Sequence, residues 1–168
     1  MDKEIFQVGR IRRVSSGFEG QIERLIKHDR NTVWRMLVEP QALAQWLAPG
    51  SIELRIGGAV HIDFADSGTV IDSTVLKLDA PKLLEYSWSS GNDPERLLRW
   101  KLITVDEGTR LVLTLRIPVG EDAARACAGF EGHLEMLAAA LEGVPIHFPV
   151  DLFLKARRAY QELQPEQE

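Results

Sequence analysis

The stretch that decides the fold is residues 121–142, EDAARACAGFEGHLEMLAAALE. Its apolar residues recur at alternating steps of four and three, which is the spacing of one face of an α-helix. These residues are Ala123, Cys127, Phe130, Leu134, Leu137 and Leu141. Glu121 and Asp122 suit the positive start of a helix. Gly143 followed by Pro145 is a stop signal. The pattern predicts one long amphipathic helix over 121–142 whose apolar face covers another layer.

That second layer is predicted by residues 51 to 117, where short strand-like runs are separated by turn residues. The close spacing favours an antiparallel meander of about five or six strands. Apolar and polar residues alternate along the runs, so one face is apolar and aromatic and the other is expected to face water. The inward residues are Val60, Ile62, Phe64, Leu84, Tyr86, Trp88, Leu98, Trp100, Leu102, Leu111, Leu113, Leu115 and Ile117. The outward residues include His61, Asp63, Glu85, Ser87, Arg99, Lys101, Arg110, Thr114 and Arg116. Such a one-sided sheet requires a cover, and the long helix is the expected one.

The segment before the meander is predicted to contain a hairpin and two short helices. Two β-prone runs, residues 5–14 and 20–27, are separated by a Ser-Ser-Gly turn. Arg24 falls on the apolar face of the second run. Asp29 is a candidate N-cap for a first helix, and Pro40 opens a second one.

The segment after the long helix is predicted to form one more helix, beginning at Pro149. Its apolar side consists of Leu152, Phe153, Ala156, Tyr160 and Leu163. The terminal QPEQE is expected to fray.

Composition restricts the class of protein. The chain has 168 residues, of which 45% are hydrophobic and 27% charged, which fits a single domain with its own core. Twenty Lys and Arg against 25 Asp and Glu give a formal net charge of −5, the wrong sign for a surface that follows phosphates. Nucleic-acid binding is therefore not expected.

The start of the chain, MDKEIFQVGR, lacks the apolar region of a secretory signal, and Cys127 is the single cysteine. No apolar run reaches the roughly 18 residues that a membrane span requires. We expect a cytoplasmic protein without a membrane span.

Five motifs in order carry a family resemblance. They are RLIKHDRNTVWRMLVEPQALAQWLAP, ELRIGGAVHIDF, DAPKLLEYSWS, LLRWKLITVDEGTRLVLTLRIP and AGFEGHLEMLAAALEG. The chain resembles the START-like (SRPBCC) superfamily, and within it the homologues of the activator of the ninety-kilodalton heat-shock chaperone ATPase. The resemblance covers about residues 8–144. Bacterial members often have Gly-Trp where this chain has Gly129-Phe130, and residues 145–168 lie outside the pattern.

The resemblance implies a fold and a domain organisation. The fold is the α+β helix-grip of START-like and pollen-allergen-like proteins, in which a curved antiparallel sheet wraps around a long C-terminal helix, with two short helices after the first strands. Residues 1–168 would form a single domain, with 145–168 as an extra C-terminal helix. The chain is too short for the separate chaperone-docking domain of the family's namesake, so co-chaperone activity does not follow from the resemblance.

The candidate ligand-binding residues are mostly aromatic. They are Arg24, Trp46, Phe64, Tyr86, Trp88, Trp100, Phe130 and His133. Each ring also fits plain core packing, but an apolar pocket lined by aromatics and a few polar groups is the usual small-molecule site.

Four residues, two of them among these candidates, have more than one interpretation. Gly129 and Gly132 lie inside the long helix, where each costs ~1 kcal/mol relative to Ala, so they indicate either close packing or room for a ligand. His133 is either a half-exposed surface residue or a titratable ring at a pocket. Arg24 either forms an internal ion pair, reaches out to solvent, or binds an acidic ligand.

Signals for catalysis and metal binding are weak. The four histidines are far apart and no Cys/His cluster is present, so we expect no metal and no cofactor. Neither GxSxG, a P-loop nor GxGxxG occurs, and Cys127 is interpreted as a small hydrophobic residue of the helix. A binding function is therefore favoured over an enzymatic one.

Three functions stay open. The first is non-enzymatic binding of a small hydrophobic or mildly acidic molecule, such as a lipid or polyketide, between the sheet and the long helix. The second, implied by the resemblance, is a chaperone-regulating protein-binding module in the stress response, with a chaperone or another protein as partner. A homodimer is left open for each of these functions. The third is an enzyme of the polyketide cyclase or hydrolase kind. An apolar cavity would favour the first, a filled interior the second, and a cavity with paired acid and base groups the third.

Overall fold

A computed structural model describes residues 7–164, except for the side chain of Asp66. Its elements in chain order are β1 (Arg10–Val14), β2 (Gly17–Ile26), α1 (Arg30–Val38), α2 (Pro40–Trp46), β3 (Gly50–Ile52), β4 (Ala59–Asp63), a short 3₁₀ helix (Ala65–Ser67), β5 (Val70–Asp79), β6 (Leu83–Ser87), β7 (Leu97–Val105), β8 (Gly108–Pro118), α3 (Ala123–Leu141) and α4 (Val150–Leu163). The predicted order of hairpin, two short helices, meander, long helix and final helix is confirmed.

The strands form one eight-stranded antiparallel sheet in the order β1-β2-β8-β7-β6-β5-β4-β3. The meander β3 to β8 accounts for six neighbouring strands, and the N-terminal hairpin joins it through β2, which pairs with β8 along its whole length from Gly17 opposite Pro118 to Ile26 opposite Thr109. The expected α+β helix-grip fold is confirmed.

Helix α3 packs against β2 and β8 on the inner face of the sheet, and α2 and α4 flank it. The side chain of Asp122 accepts a hydrogen bond from the amide of Arg125 at 3.0 Å, which caps the first turn. The predicted apolar stripe is buried from Ala123 to Leu137, while Leu141 is half-buried. The sheet face and this helix face together form the core of the domain.

The prediction that the outer face of the sheet is uniformly wet is wrong at three positions: Glu85, Ser87 and Thr114 are buried. Arg99 lies over Glu85 and donates to its carboxylate at 2.9 Å. Ser87 lies beneath the connection to β7, whose Arg96 amide donates to its hydroxyl at 3.0 Å. Thr114 is a short side chain placed in register between Gln21 and Arg99, two longer ones.

The ends of the chain differ from the sequence prediction in two further respects. The first strand begins at Arg10, and positions 5 and 6 of the predicted 5–14 strand lie outside the described residues. Leu163, predicted on the apolar side of α4, is exposed because it lies on the last turn of the helix. Most of QPEQE, residues 165–168, also lies outside the described residues. None of the helices in the described part of the chain is both long and apolar enough to cross a membrane.

Candidate functional site

A cavity of about 220 Å³ lies between α3 and one end of the sheet. Five parts of the chain line it: the β4–β5 connection, the β6–β7 connection, the first residue of β7, the end of β8, and α3 with the residue that precedes its cap. The lining residues are Phe64, Ser67, Thr69, Trp88, Arg96, Leu97, Leu115, Arg116, Ile117, Glu121, Ala126, Gly129, Phe130 and His133. Four of the predicted site residues, Phe64, Trp88, Phe130 and His133, are therefore brought together here.

The aromatic walls of the cavity contact one another edge to face. Trp88 packs against Phe130 with ring centroids 5.2 Å apart and against Phe64 at 5.8 Å. Phe64 in turn lies 5.8 Å from the His133 ring. This geometry is favourable for aromatic pairs and keeps the walls in defined positions.

Three other predicted site residues, Trp46, Tyr86 and Trp100, form a buried layer behind the cavity and do not line it. Trp46 and Trp100 meet edge to face at 5.7 Å. Trp46 donates its indole N–H to the carbonyl of Met36 at 2.7 Å, and Trp100 donates to the hydroxyl of Tyr86 at 3.3 Å. The inward direction of Tyr86 and Trp100 was predicted correctly, but all three rings are buried core residues, and the prediction that they border the pocket is wrong.

The two glycines of α3 have different surroundings. A Cβ at Gly129 would meet nothing within 4 Å, and this residue lines the cavity. A Cβ at Gly132 would lie 2.7 Å from the ring of Phe148. The sequence left close packing and room for a ligand as alternatives, and the structure shows the first at Gly132 and open space at Gly129.

A hydrogen bond from one ring nitrogen holds His133 at the cavity. Its Nδ1 lies 2.9 Å from the carbonyl oxygen of Trp46, which accepts the hydrogen bond. The ring is packed between Phe64 and Phe148. Burial lowers the pKa of His133 below its usual value, against the smaller opposite effect of the bond to Trp46. The imidazole is therefore neutral at neutral pH.

Two arginines that the sequence analysis did not select as site residues also line the cavity. Arg96 forms a bidentate ion pair with Glu121, with both N–O distances 2.7 Å. Arg116 donates from Nε to Glu19 at 3.2 Å. Arg96 and Glu121 are 25 residues apart on two connections, so no local spacing pattern could have linked them.

Arg24 lies outside the cavity lining. It reaches from β2 to α3, where its guanidinium binds the carboxylate of Glu131. Glu131 is 2% exposed and also accepts a hydrogen bond from the Tyr160 hydroxyl and, at 3.1 Å, from the Gly9 amide. Burial raises the pKa of Tyr160, so this phenol is a neutral donor. Of the alternatives for Arg24, the structure shows the internal ion pair.

The chemistry of the remaining candidates is limited. Cys127 is buried, and burial raises the pKa of its thiol to about 12, which leaves it protonated and unreactive at neutral pH. Within residues 7–164, no group of three or more His, Cys, Asp or Glu side chains is arranged to hold a metal ion.

The family model described as activator of Hsp90 ATPase homolog 1-like protein matches residues 27–142. The crystal structure of CalU16 from Micromonospora echinospora has a TM-score of 0.77 at 18% identity and covers 96% of this chain and 98% of its own. EF2215 of Enterococcus faecalis has a TM-score of 0.74 at 20% identity, with 94% and 92% coverage.

DynU16, a protein of the dynemicin biosynthetic locus, is 27% identical with a TM-score of 0.69. The match covers 76% of this chain and 48% of DynU16. A comparison with curated proteins found no match.

Proposed function

The chain belongs to the family of activator of Hsp90 ATPase homolog 1-like proteins, and from this premise we propose that it binds a small hydrophobic molecule, without catalysis, between α3 and the sheet. The observation that carries the proposal is the aromatic cavity of about 220 Å³, with bare helix backbone at Gly129 on one side. Concave sites with apolar walls and few polar groups are where small ligands bind.

The size of the cavity limits the ligand. A dry apolar cavity of about 150 Å³ accommodates benzene in another protein. A cavity of about 220 Å³ therefore suits a molecule with two fused rings or a short branched chain. The 27% identical relative DynU16 is a protein of a biosynthetic locus, which is in keeping with a small organic ligand.

The state of the charged groups favours binding over catalysis. Catalysis by a paired acid and base requires a free acid and a free base that face the ligand. Glu121 has both carboxylate oxygens bound to Arg96, so it is not a free base. His133 is left as a single titratable group in the described lining without an ion-pair partner.

Chaperone activation is the activity in the family's description. We propose ligand binding in its place for this chain, because the cavity provides a defined site for it. Purified protein that raises the ATPase rate of the cognate chaperone several-fold would instead support the protein-binding alternative.

The decisive experiment fills the cavity. Gly129→Leu places a side chain into the open space of the cavity. The control, Ala138→Leu, introduces a leucine at an exposed position of the same helix. Binding of two-ring aromatic compounds is measured by the shift in melting temperature and by tryptophan fluorescence, because Trp88 lines the site. Wild type and Ala138→Leu should bind, and Gly129→Leu should not. A wild-type protein that gives no shift with a broad panel of aromatic, lipid and polyketide-like compounds would refute the proposal.

A further inference from the structure

The positive charges in the cavity lining are already neutralised by the protein. Arg96 uses Nε and Nη2 on Glu121. Its Nη1 donates to the Trp88 carbonyl at 3.3 Å and lies 3.7 Å from the carboxylate of Asp93. A ligand carboxylate would have to displace a bidentate internal partner to reach this guanidinium, which is unfavourable.

Arg116, the other arginine of the lining, is in a similar state. Its Nε donates to Glu19, a carboxylate that Arg12 also binds at 2.7 Å. Arg24, the third candidate for an anionic ligand, is bound to Glu131 away from the cavity. The described lining therefore holds no arginine without a carboxylate partner.

His133 instead presents an acceptor. A carbonyl oxygen only accepts, so the contact with Trp46 fixes the proton of the neutral ring on Nδ1. Nε2 then carries a lone pair. None of the described residues forms a hydrogen bond with Nε2. Nε2 is also not one of the fully buried side-chain atoms that lack a hydrogen-bond partner. Since His133 lines the cavity, this lone pair is available to a ligand.

Gly129 places the ligand within reach of that atom. It precedes His133 by four residues, so the two lie on one face of α3, about 5–6 Å apart at the Cβ positions. A flat ring system lying over the bare backbone at Gly129, beside Phe130, extends toward the imidazole. A substituent at the edge of that ring system would meet Nε2.

We propose that the cavity selects an uncharged aromatic ligand with a hydroxyl group, which donates a hydrogen bond to Nε2 of His133. This inference rests on the proposed function and narrows its ligand class from small hydrophobic molecules to neutral phenols. A methyl ether lacks the proton for Nε2, and a carboxylate brings a charge that no free cation in the lining compensates.

The test uses four probes with the same ring system: naphthalene, beta-naphthol, its methyl ether, and beta-naphthoic acid. At about pH 7.5 the naphthol is neutral and the acid is ionised. We expect the wild-type protein to bind beta-naphthol about three- to tenfold more tightly than naphthalene or the methyl ether, the range of one net neutral hydrogen bond. Beta-naphthoate should bind roughly tenfold more weakly than beta-naphthol or worse.

Two variants of His133 and one control variant test whether its imidazole causes the preference for beta-naphthol. His133→Phe keeps a flat ring and removes the acceptor, so it should bind naphthalene and abolish the advantage of beta-naphthol. His133→Gln, whose amide oxygen can accept, should keep part of it. His61→Phe makes the same change on the exposed side of β4 and should leave the advantage intact.

The outcomes separate the two proposals. Binding of none of the four probes, together with a negative broad panel, overturns the proposed function itself. Binding of naphthalene and beta-naphthol with equal affinity overturns the hydroxyl inference and leaves the proposed function standing. Tighter binding of beta-naphthoate than of beta-naphthol also overturns it. These comparisons need only wild-type protein, so they decide the question even if His133→Phe does not fold.

Discussion

The ring of Phe148 lies directly against the backbone of Gly132, so closely that a Cβ there would come within 2.7 Å of it. Phe148 belongs to the connection between α3 and α4, and its ring also packs 5.2 Å from His133 and 5.8 Å from Phe153. The missing side chain at Gly132 thus lets this connection close over the helix beside the cavity.

Gly132→Ala should therefore destabilise the protein, although Ala is the better helix former by ~1 kcal/mol. The added methyl displaces the Phe148 ring, and overpacking of this kind costs about 1–3 kcal/mol, so the expected net loss is at most about 2 kcal/mol. The free energy of unfolding in urea measures the net loss. In the background of Phe148→Ala, Gly132→Ala should become neutral or stabilising. If it lowers the free energy of unfolding by the same amount in both backgrounds, the contact with Phe148 is not the cause of the loss.

Gly129→Ala should have the opposite effect. Its Cβ would enter open space, so only the gain in helix propensity remains, about 0.5–1 kcal/mol. Urea unfolding again measures the difference. A loss of stability would show that the backbone at Gly129 is strained or more tightly packed than the structure indicates.

These two glycines also show how much of the fold and of the site can be predicted from the sequence. Helical periodicity over 121–142 and alternation along the strands are local patterns, so they predicted the long helix, the meander and the inward faces. Which glycine faces Phe148 and which faces the cavity depends on the packing of a connection outside the periodic pattern. That arrangement is not encoded in local spacing.

The Arg96–Glu121 pair of the site escaped prediction for the same reason. Phe64, Trp88 and Phe130 were found because they fall on predicted inward faces, and His133 was selected as a titratable ring that could meet a pocket. Arg96 and Glu121 meet only after two connections fold against each other. Arg24 was recognised as unusual by its place among apolar neighbours, but its partner Glu131 is 107 residues away.

Arg24→Leu tests that buried pair. The substitution leaves Glu131, 2% exposed, without its cation. Removing one partner of a buried pair costs about 3–5 kcal/mol. Because the Arg24 side chain is 29% exposed, we expect a loss somewhat below that range, about 2–3 kcal/mol, in urea unfolding.

Arg12→Leu is the control for Arg24→Leu. Arg12 also pairs with a glutamate, Glu19, but its side chain is 69% exposed. Loss of this surface pair should cost at most about 1 kcal/mol. Equal costs for the two variants would mean that the Arg24–Glu131 pair behaves as a surface pair.

The last prediction concerns pH and His133. Burial lowers the pKa of this imidazole below 6.5 in the folded protein, while in the unfolded chain the ring titrates near that value. The groups that face the ring are the Trp46 carbonyl, Phe64 and Phe148, and the charged groups of the described lining are paired among carboxylates and guanidiniums. The unfolded state therefore binds a proton at a higher pH than the folded state does.

Stability should consequently fall as pH falls below about 6.5, and this contribution should level off once the pH is below the folded pKa of His133. In His133→Phe that component is absent, whereas His61→Phe should retain it. Urea unfolding at a series of pH values from about 8 to about 5 gives the profiles, and subtracting the His133→Phe profile from the wild-type one removes the shared titration of carboxylates and other histidines. The difference should be flat above about 7 and decline toward lower pH. Two outcomes would contradict this prediction: parallel stability profiles for wild type and His133→Phe, or a wild type that gains stability relative to His133→Phe as pH falls. Either would show that the folded protein does not favour the neutral imidazole, on which the acceptor role of Nε2 depends.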